Sequence, residues 1–290
     1  MMLKRLRKIF SPPEPAPYAG PKDKIPLSEM LDRGWFDLWY QPKIALRGLR
    51  MVGAEALVRA RHPERGVVAP FFFLPEAGED ELLALTERVI VTALRDWEVF
   101  DEYGVGMKLA VNVPVSAFVK LPIPRMLSEA RPRAAHWPGM VLEVTEDQII
   151  NDLALANDVA GALRAQRCTL ALDDFGAGYS SLARLRQLPF SELKIDRSYV
   201  MNCDRDPLNA GLCETIVELG KRFGLGIVAE GIETVHESHK LQGIGCDVGQ
   251  GYLFAKPMPK SELIALMRQR MVGGPRPVPK KAPRRALARA

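Results

Sequence analysis

Carboxylates recur at the ends of short apolar runs in this chain, joined by one amide and one lysine. Glu55 follows Val52-Gly53-Ala54, Asn112 closes Leu109-Ala110-Val111, and Glu143 and Glu146 lie in Leu142-Glu143-Val144-Thr145-Glu146. Asp173 and Asp174 end Leu170-Ala171-Leu172, Lys194 and Asp196 lie in Leu193-Lys194-Ile195-Asp196, and Glu230 and Glu233 follow Ile227-Val228-Ala229. A single acidic residue after a strand is most often a helix cap or a turn residue. Several arriving together mean more, because carboxylates cannot gather in a dry cavity without cations to neutralise them. Hard oxygen donors suit Mg²⁺ or Mn²⁺ rather than zinc, and none of the four histidines shares a strand end with them. Two such ions roughly 3.5–4 Å apart activate water and stabilise the leaving oxygen of an in-line displacement. The chemistry these residues point to is two-metal hydrolysis of a phosphodiester.

The adjacent aspartates set a geometric condition. Neighbouring side chains of an extended strand face opposite ways, so Asp173 and Asp174 reach one site only if the strand ends or bends there. Gly176 and Gly178 are expected to supply the bend.

The elements that must position these groups are eight β-branched or apolar runs: residues 37–46, 51–60, 108–113, 140–145, 169–174, 192–196, 226–230 and 248–255. Most gaps carry helical spacing, as in Leu83, Ile90, Leu94 and Trp97, or in Ile150, Leu153, Val159 and Leu163. Strand–helix alternation repeated this often implies a parallel sheet, and eight strands can close into a barrel with its chemistry at the strands' C-terminal ends. Only Arg47-Gly48-Leu49-Arg50 joins the first two runs, too short for a parallel crossover. The expected fold is therefore an α/β, (β/α)8 TIM-like barrel whose first strand is antiparallel to its second. A final helix should bury Leu263–Met267 in the core.

Charge and proline mark the ends. Residues 1–24 hold six Lys/Arg and the proline-rich Ser11-Pro12-Pro13-Glu14-Pro15-Ala16-Pro17; residues 271–290 hold six more and no acid. Both read as basic tails, disordered, flanking a barrel over 25–270. Between them 28 basic residues face 33 acidic ones, so the net charge of +5 belongs to the tails and no nucleic-acid polymer is expected as a partner. The alternation of Leu3, Leu6, Ile9 and Phe10 with basic residues gives residues 1–10 at most a weak peripheral membrane contact. No run approaches the roughly 20 apolar residues of a membrane span. The four cysteines show no CxxC pattern, and a reduced, cytoplasmic protein is the simple reading.

The motifs in their order resemble the EAL-domain cyclic di-GMP phosphodiesterases. The matching stretches are Tyr40-Gln41-Pro42-Lys43, Glu55-Ala56-Leu57-Val58-Arg59, Val111-Asn112, Leu142-Glu143-Val144-Thr145-Glu146, residues 172–182 (LDDFGAGYSSL), Leu193-Lys194-Ile195-Asp196, residues 228–234 (VAEGIET) and residues 245–257 (GCDVGQGYLFAKP). The resemblance implies a metal-dependent phosphodiesterase that hydrolyses cyclic di-GMP to linear pGpG with two Mg²⁺ or Mn²⁺ ions. It implies that Glu55, Asn112, Glu143 and Asp173 hold one metal, and that Asp173, Asp174 and Glu230 surround the second. Lys194 and Glu230 would orient or deprotonate the attacking water. Gln41, Leu57, Arg59, Gln250, Tyr252 and Asp196 would meet the substrate, with Asp196 capping or orienting rather than catalysing. Glu146 would anchor the loop of residues 175–182, which in the family couples dimerisation to metal binding, and a homodimer is implied. The alternative is a module that binds the dinucleotide, or docks a protein, without turnover. Two departures from the family pattern are Ala177, where threonine is usual, and residues 71–79, where Glu76 takes a normally apolar position.

Overall fold

The computed structural model describes residues 24–103, 106–145, 153–175 and 189–273. Among them, β1 (Phe36–Ala45) and β2 (Arg50–His62) form an antiparallel hairpin in which Gln41 lies opposite Glu55. β4 (Lys108–Asn112), β5 (Met140–Thr145), β6 (Thr169–Phe175), β7 (Phe190–Ile195) and β8 (Gly226–Ala229) then continue from β2 in parallel. The two-residue β9 (Val248–Gly249) pairs in parallel with β8 and antiparallel with β1, which closes a barrel of eight strands. β3 (Gly66–Val68) extends β2, and β10 (Met258–Pro259) extends β1 outside the ring. The inverted first strand is thus present as the short 47–50 link requires. The eighth run is shorter than its apolar pattern suggests. After Gly249 the chain turns, with Phe254 and Ala255 both donating to the Gly251 carbonyl, so only the start of residues 248–255 is strand.

Helices cover the outside of the barrel: Glu79–Asp101, Ile123–Ala130, Leu153–Ala165, Pro207–Arg222, Val235–Ile244 and Lys260–Gly273 are the longer ones. The first of these starts where three acids, Glu79, Asp80 and Glu81, meet the positive end of the helix dipole. Glu81 also accepts from the Gly78 amide (2.7 Å) and from Ser28 N (2.9 Å), tying the preceding helix Leu27–Asp32 to it. Its buried stripe includes Leu83, Ile90, Leu94 and Trp97, the spacing expected from the sequence. Thr234 and Glu237 close a capping box on Val235–Ile244. Leu263, Leu266 and Met267 of the last helix are core residues.

Each strand divides its side chains between two environments, because successive residues point to opposite faces. Leu109, Val111, Leu142, Val144, Leu170 and Leu172 face the helices and join the main apolar core. Ala110, Val141 and Ala171 form a separate small cluster. Two residues further along the same strands, on the same face, stand Asn112, Glu143 and Asp173. The barrel interior therefore carries small apolar residues below, with Lys108, Glu192 and Asp247 near the strand starts, and a dense ionic layer near the strand ends.

Candidate active site

Lys194, on β7, is the hub of the ionic layer and is 1% exposed. Its Nζ lies 2.7 Å from Glu230 Oε1, 2.9 Å from Asp173 Oδ1, 2.9 Å from Glu143 Oε2 and 3.9 Å from Glu55 Oε2. Four carboxylates from β2, β5, β6 and the residue after β8 thus converge on one ammonium. Glu143 also receives Lys43, from β1, on its other oxygen at 2.6 Å. Burial alone would push the Glu143 carboxyl up, but Lys194 and Lys43 outweigh it and hold it at about 2.

Glu55 is fixed by two donors and a nearby ammonium. Asn112 Nδ2 donates to Oε1 at 2.8 Å, Gln250 Nε2 donates to Oε2 at 2.6 Å, and Lys194 approaches the same side. Gln250 also reaches Gln41 Oε1 at 3.0 Å, and Gln41 in turn donates to the Ala255 carbonyl at 3.1 Å. This relay locks the ends of β1, β2 and β9 together. Among the described residues, Gln250 Oε1 is buried with no hydrogen-bond partner.

The two aspartates share the site through a bulge. Leu172 pairs with Leu193 and Phe175 with Ile195, so Asp173 and Asp174 together oppose Lys194. Asp174 takes φ +52°, a left-handed conformation uncommon outside glycine, and its amide donates to Asp173 Oδ1 at 3.0 Å. The chain bends at Asp174 itself; Gly176 and Gly178, expected to supply the bend, lie outside the described residues. Carboxylate oxygens of Asp173, Asp174 and Glu230 come within 4.8 Å of one another, a set of hard donors that fits a divalent cation. Desolvation and the neighbouring Asp173 and Asp196 raise Asp174 to about 6. Desolvation, only partly offset by Lys194, raises Glu230 to about 8. Five carboxylates against two lysines leave an excess of negative charge that divalent cations would balance.

Above this layer an open cleft of about 280 Å³ is lined by Gln41, Leu57, Asn112, Glu230, Gln250 and Tyr252, among others. Its floor demands glycine at two places. A Cβ on Gly251 would stand 2.2 Å from the Ile232 carbonyl oxygen, and one on Gly231 (φ +67°) would meet the Arg197 side chain at 2.3 Å. Tyr252 is 55% exposed at the mouth, with the Lys256 ammonium 5.6 Å from its ring. Of the residues singled out in the sequence, Arg59 is not among those lining the cleft. It donates to the Val58 carbonyl and lies 5.7 Å over the Trp39 ring. Asp196 caps the helix Arg197–Val200 through the Ser198 amide at 2.8 Å and acts on the site through its charge beside Asp174. Glu146 and most of the 175–182 loop lie outside the described residues.

Residues 26–257 match the model of the EAL domain. The chain belongs to the EAL domain family. Cyclic di-GMP phosphodiesterase RocR of Pseudomonas aeruginosa is 36% identical to it over 237 residues, 81% of this chain and 60% of RocR. The bifunctional diguanylate cyclase/cyclic di-GMP phosphodiesterase MucR of the same organism is 36% identical over 242 residues, 82% of this chain and 35% of MucR. This EAL chain therefore spans only part of those curated relatives. Among solved structures, the PaMucR phosphodiesterase in its c-di-GMP complex superposes with a TM-score of 0.75 at 36% identity, covering 82% of this chain and 97% of that one. The manganese/cy-diGMP complex of Klebsiella pneumoniae BlrP1 gives 0.66 at 27% identity, covering 78% and 57%.

Two residues of this EAL site escaped the sequence reading. Lys43 was legible in principle, since it stands two positions from Gln41 on one strand and must share its face. Arg197 lines the cleft and pairs with Glu233 at 2.6 Å. It follows Asp196 in a four-residue helix, too short for any periodic signal.

Proposed function

We propose that this EAL chain is a metal-dependent phosphodiesterase that hydrolyses cyclic di-GMP to linear pGpG. The observation that carries the reading is the convergence of Glu55, Glu143, Asp173 and Glu230 on Lys194, with Asp174 within 4.8 Å of two of them. An ionic layer this dense, at the strand ends of a barrel and beneath an open cleft, serves chemistry rather than packing. Relatives named for hydrolysis of cyclic di-GMP, and the c-di-GMP and manganese complexes named above, support the choice of substrate and cofactor.

Asp173, Asp174 and Glu230 would hold one Mg²⁺ or Mn²⁺, and Glu55, Asn112 and Glu143, with Asp173 shared, the other. Bound there, such ions supply positive charge to a phosphate in transition and acidify water. Lys194 orients the attacking water through the ammonium it now shares among the carboxylates. Glu230, which meets Lys194 at 2.7 Å, would take the proton. The water oxygen bonds to one bridging phosphorus, the bond to the ribose 3′ oxygen breaks, that oxygen takes up a proton from solvent, and the single ring opening gives pGpG. Gln41, Leu57, Gln250 and Tyr252 line the cleft that would receive the dinucleotide, with Tyr252 offering an exposed aromatic face. Arg59 would reach the substrate by leaving the Trp39 ring. A homodimer and a cytoplasmic location belong to the same reading through the family resemblance, and light scattering checks the first; among the described residues no helix is long and apolar enough to cross a membrane.

The test is incubation of the purified chain with cyclic di-GMP and Mg²⁺ or Mn²⁺, with pGpG followed by chromatography. Steady conversion that EDTA stops is the expected result. Binding of the dinucleotide without conversion would replace the enzyme with a sensor.

A further inference from the structure

Lys43 enters the site from the opposite side to everything else. β1 runs against its neighbours, so the residue two beyond Gln41 on the inner face lies one layer nearer the strand starts, opposite Gly53 and beside an irregularity in the pairing. Lys43 is 5% exposed, and its Nζ reaches up to Glu143 Oε1 at 2.6 Å. Below it is a cavity of about 220 Å³, lined by Gly53, Ala110 and Val141 and by the charged Lys108, Glu192 and Asp247, among others. Glu143 is the one carboxylate among the described residues within ion-pair distance of it.

The two lysines on Glu143 are not equivalent. Lys194 lines the cleft and touches four carboxylates, a place that cations can share or take over. Lys43 touches one, from beneath, and does not line the cleft. A carboxylate torsion is soft and nearly two-fold, so nothing intrinsic decides which oxygen Glu143 turns upward. With Lys43 on Oε1, only Oε2 is left to meet Lys194.

We propose that Lys43 is a positioning residue that makes Glu143 a one-oxygen ligand and keeps that oxygen aimed at the cation site from below. The inference rests on the metal-dependent reading above and adds a residue to it. Partners that orient a metal ligand typically contribute about 10–100-fold to metal affinity.

The experiment is calorimetric titration of the metal-free full chain with Mn²⁺, comparing wild type with Lys43→Met, Glu143→Gln and the double variant. Lys43→Met should weaken Mn²⁺ binding about 10–100-fold. Its turnover of cyclic di-GMP should recover in excess Mn²⁺ with KM unchanged, which a merely structural defect would not do. The double variant should bind Mn²⁺ no worse than Glu143→Gln, because Lys43 acts through Glu143. Should Lys43→Met fail to fold with Glu143 held by Lys194 alone, the double variant, which removes both charges of the Lys43–Glu143 pair, keeps the comparison with Glu143→Gln. Wild-type affinity in Lys43→Met, or a further loss in the double variant, would overturn the proposal. A wild type that binds no Mn²⁺ would remove the metal reading itself, an outcome distinct from equal binding by both.

Discussion

The two faces of the barrel strands are built for opposite purposes. Outward, Leu109, Val111, Leu142, Leu172, Leu193 and Ile227 pack against helices, where residues such as Leu94, Trp97, Leu163 and Val217 are buried. Each fully buried side chain of this kind contributes roughly 1.5–3 kcal/mol. Inward, the same strands carry Glu143, Asp173 and Lys194, groups whose burial costs several kcal/mol per ion before their mutual attraction is counted. The apolar shell therefore stabilises the molecule and the ionic interior spends part of that stability on a preorganised site. A residue's role follows from which face of its strand it occupies, and substitutions on the two faces should separate cleanly.

The largest separation is expected at Asp174. Changing Asp174→Asn should lower turnover of cyclic di-GMP more than about 100-fold, since even residues that only orient a ligand matter at the 10–100-fold level. The unfolding midpoint of the metal-free protein should hold or rise, because one like charge leaves a crowded site; normal turnover would remove Asp174 from the metal set. Leu94→Ala is the mirror experiment. A fully buried leucine in the shell should cost about 2–5 kcal/mol in denaturant unfolding while Mn²⁺ affinity stays unchanged. A loss of Mn²⁺ affinity in the folded variant would show that the two faces are coupled.

Acidity sharpens the same contrast. Asp174 is raised to about 6 and Glu230 to about 8, both above ordinary carboxyl values. A carboxyl whose folded pKa is raised contributes stability that is full below its ordinary value and lost as pH rises through the folded value. The metal-free protein should thus lose stability from these two groups through pH 6 and then 8, while Glu143, held at about 2, changes nothing in that window. Cations replace the departing protons, so the melting-temperature gain from Mn²⁺ should be a few degrees greater at pH 8.5 than at pH 5.5. Equal gains at both would contradict it. The smallest effect belongs to the shell's periphery: Thr234→Ala should cost about 1 kcal/mol through loss of the helix cap, with turnover intact.

Much of this was legible from residue order. The four-residue link at 47–50 dictates an antiparallel hairpin, and the strand-end carboxylates do fall in one layer because parallel strands bring their ends together. Three features were not. Phe254 and Ala255 are apolar and buried and Leu253 is half-buried, yet they form a turn, and burial alone does not distinguish a strand from a tight turn. Gly176 and Gly178, expected to bend the strand, lie outside the described residues; glycine adopts positive φ freely. An aspartate does so here, where its amide bonds the preceding side chain. Lys43 was quoted within a motif without a role, because a lysine in a strand is ordinarily solvated and only closure of the barrel brings it beneath Glu143.

The central claim is that the negative excess of the barrel interior exists to hold divalent cations. Counting Mn²⁺ bound per chain, by equilibrium dialysis of the metal-free protein at pH 8 with Asp174→Asn alongside, tests it most directly. Two ions should bind per wild-type chain, and at least one should be lost in the variant. Wild-type protein that binds none, or a variant that binds as the wild type does, would contradict it.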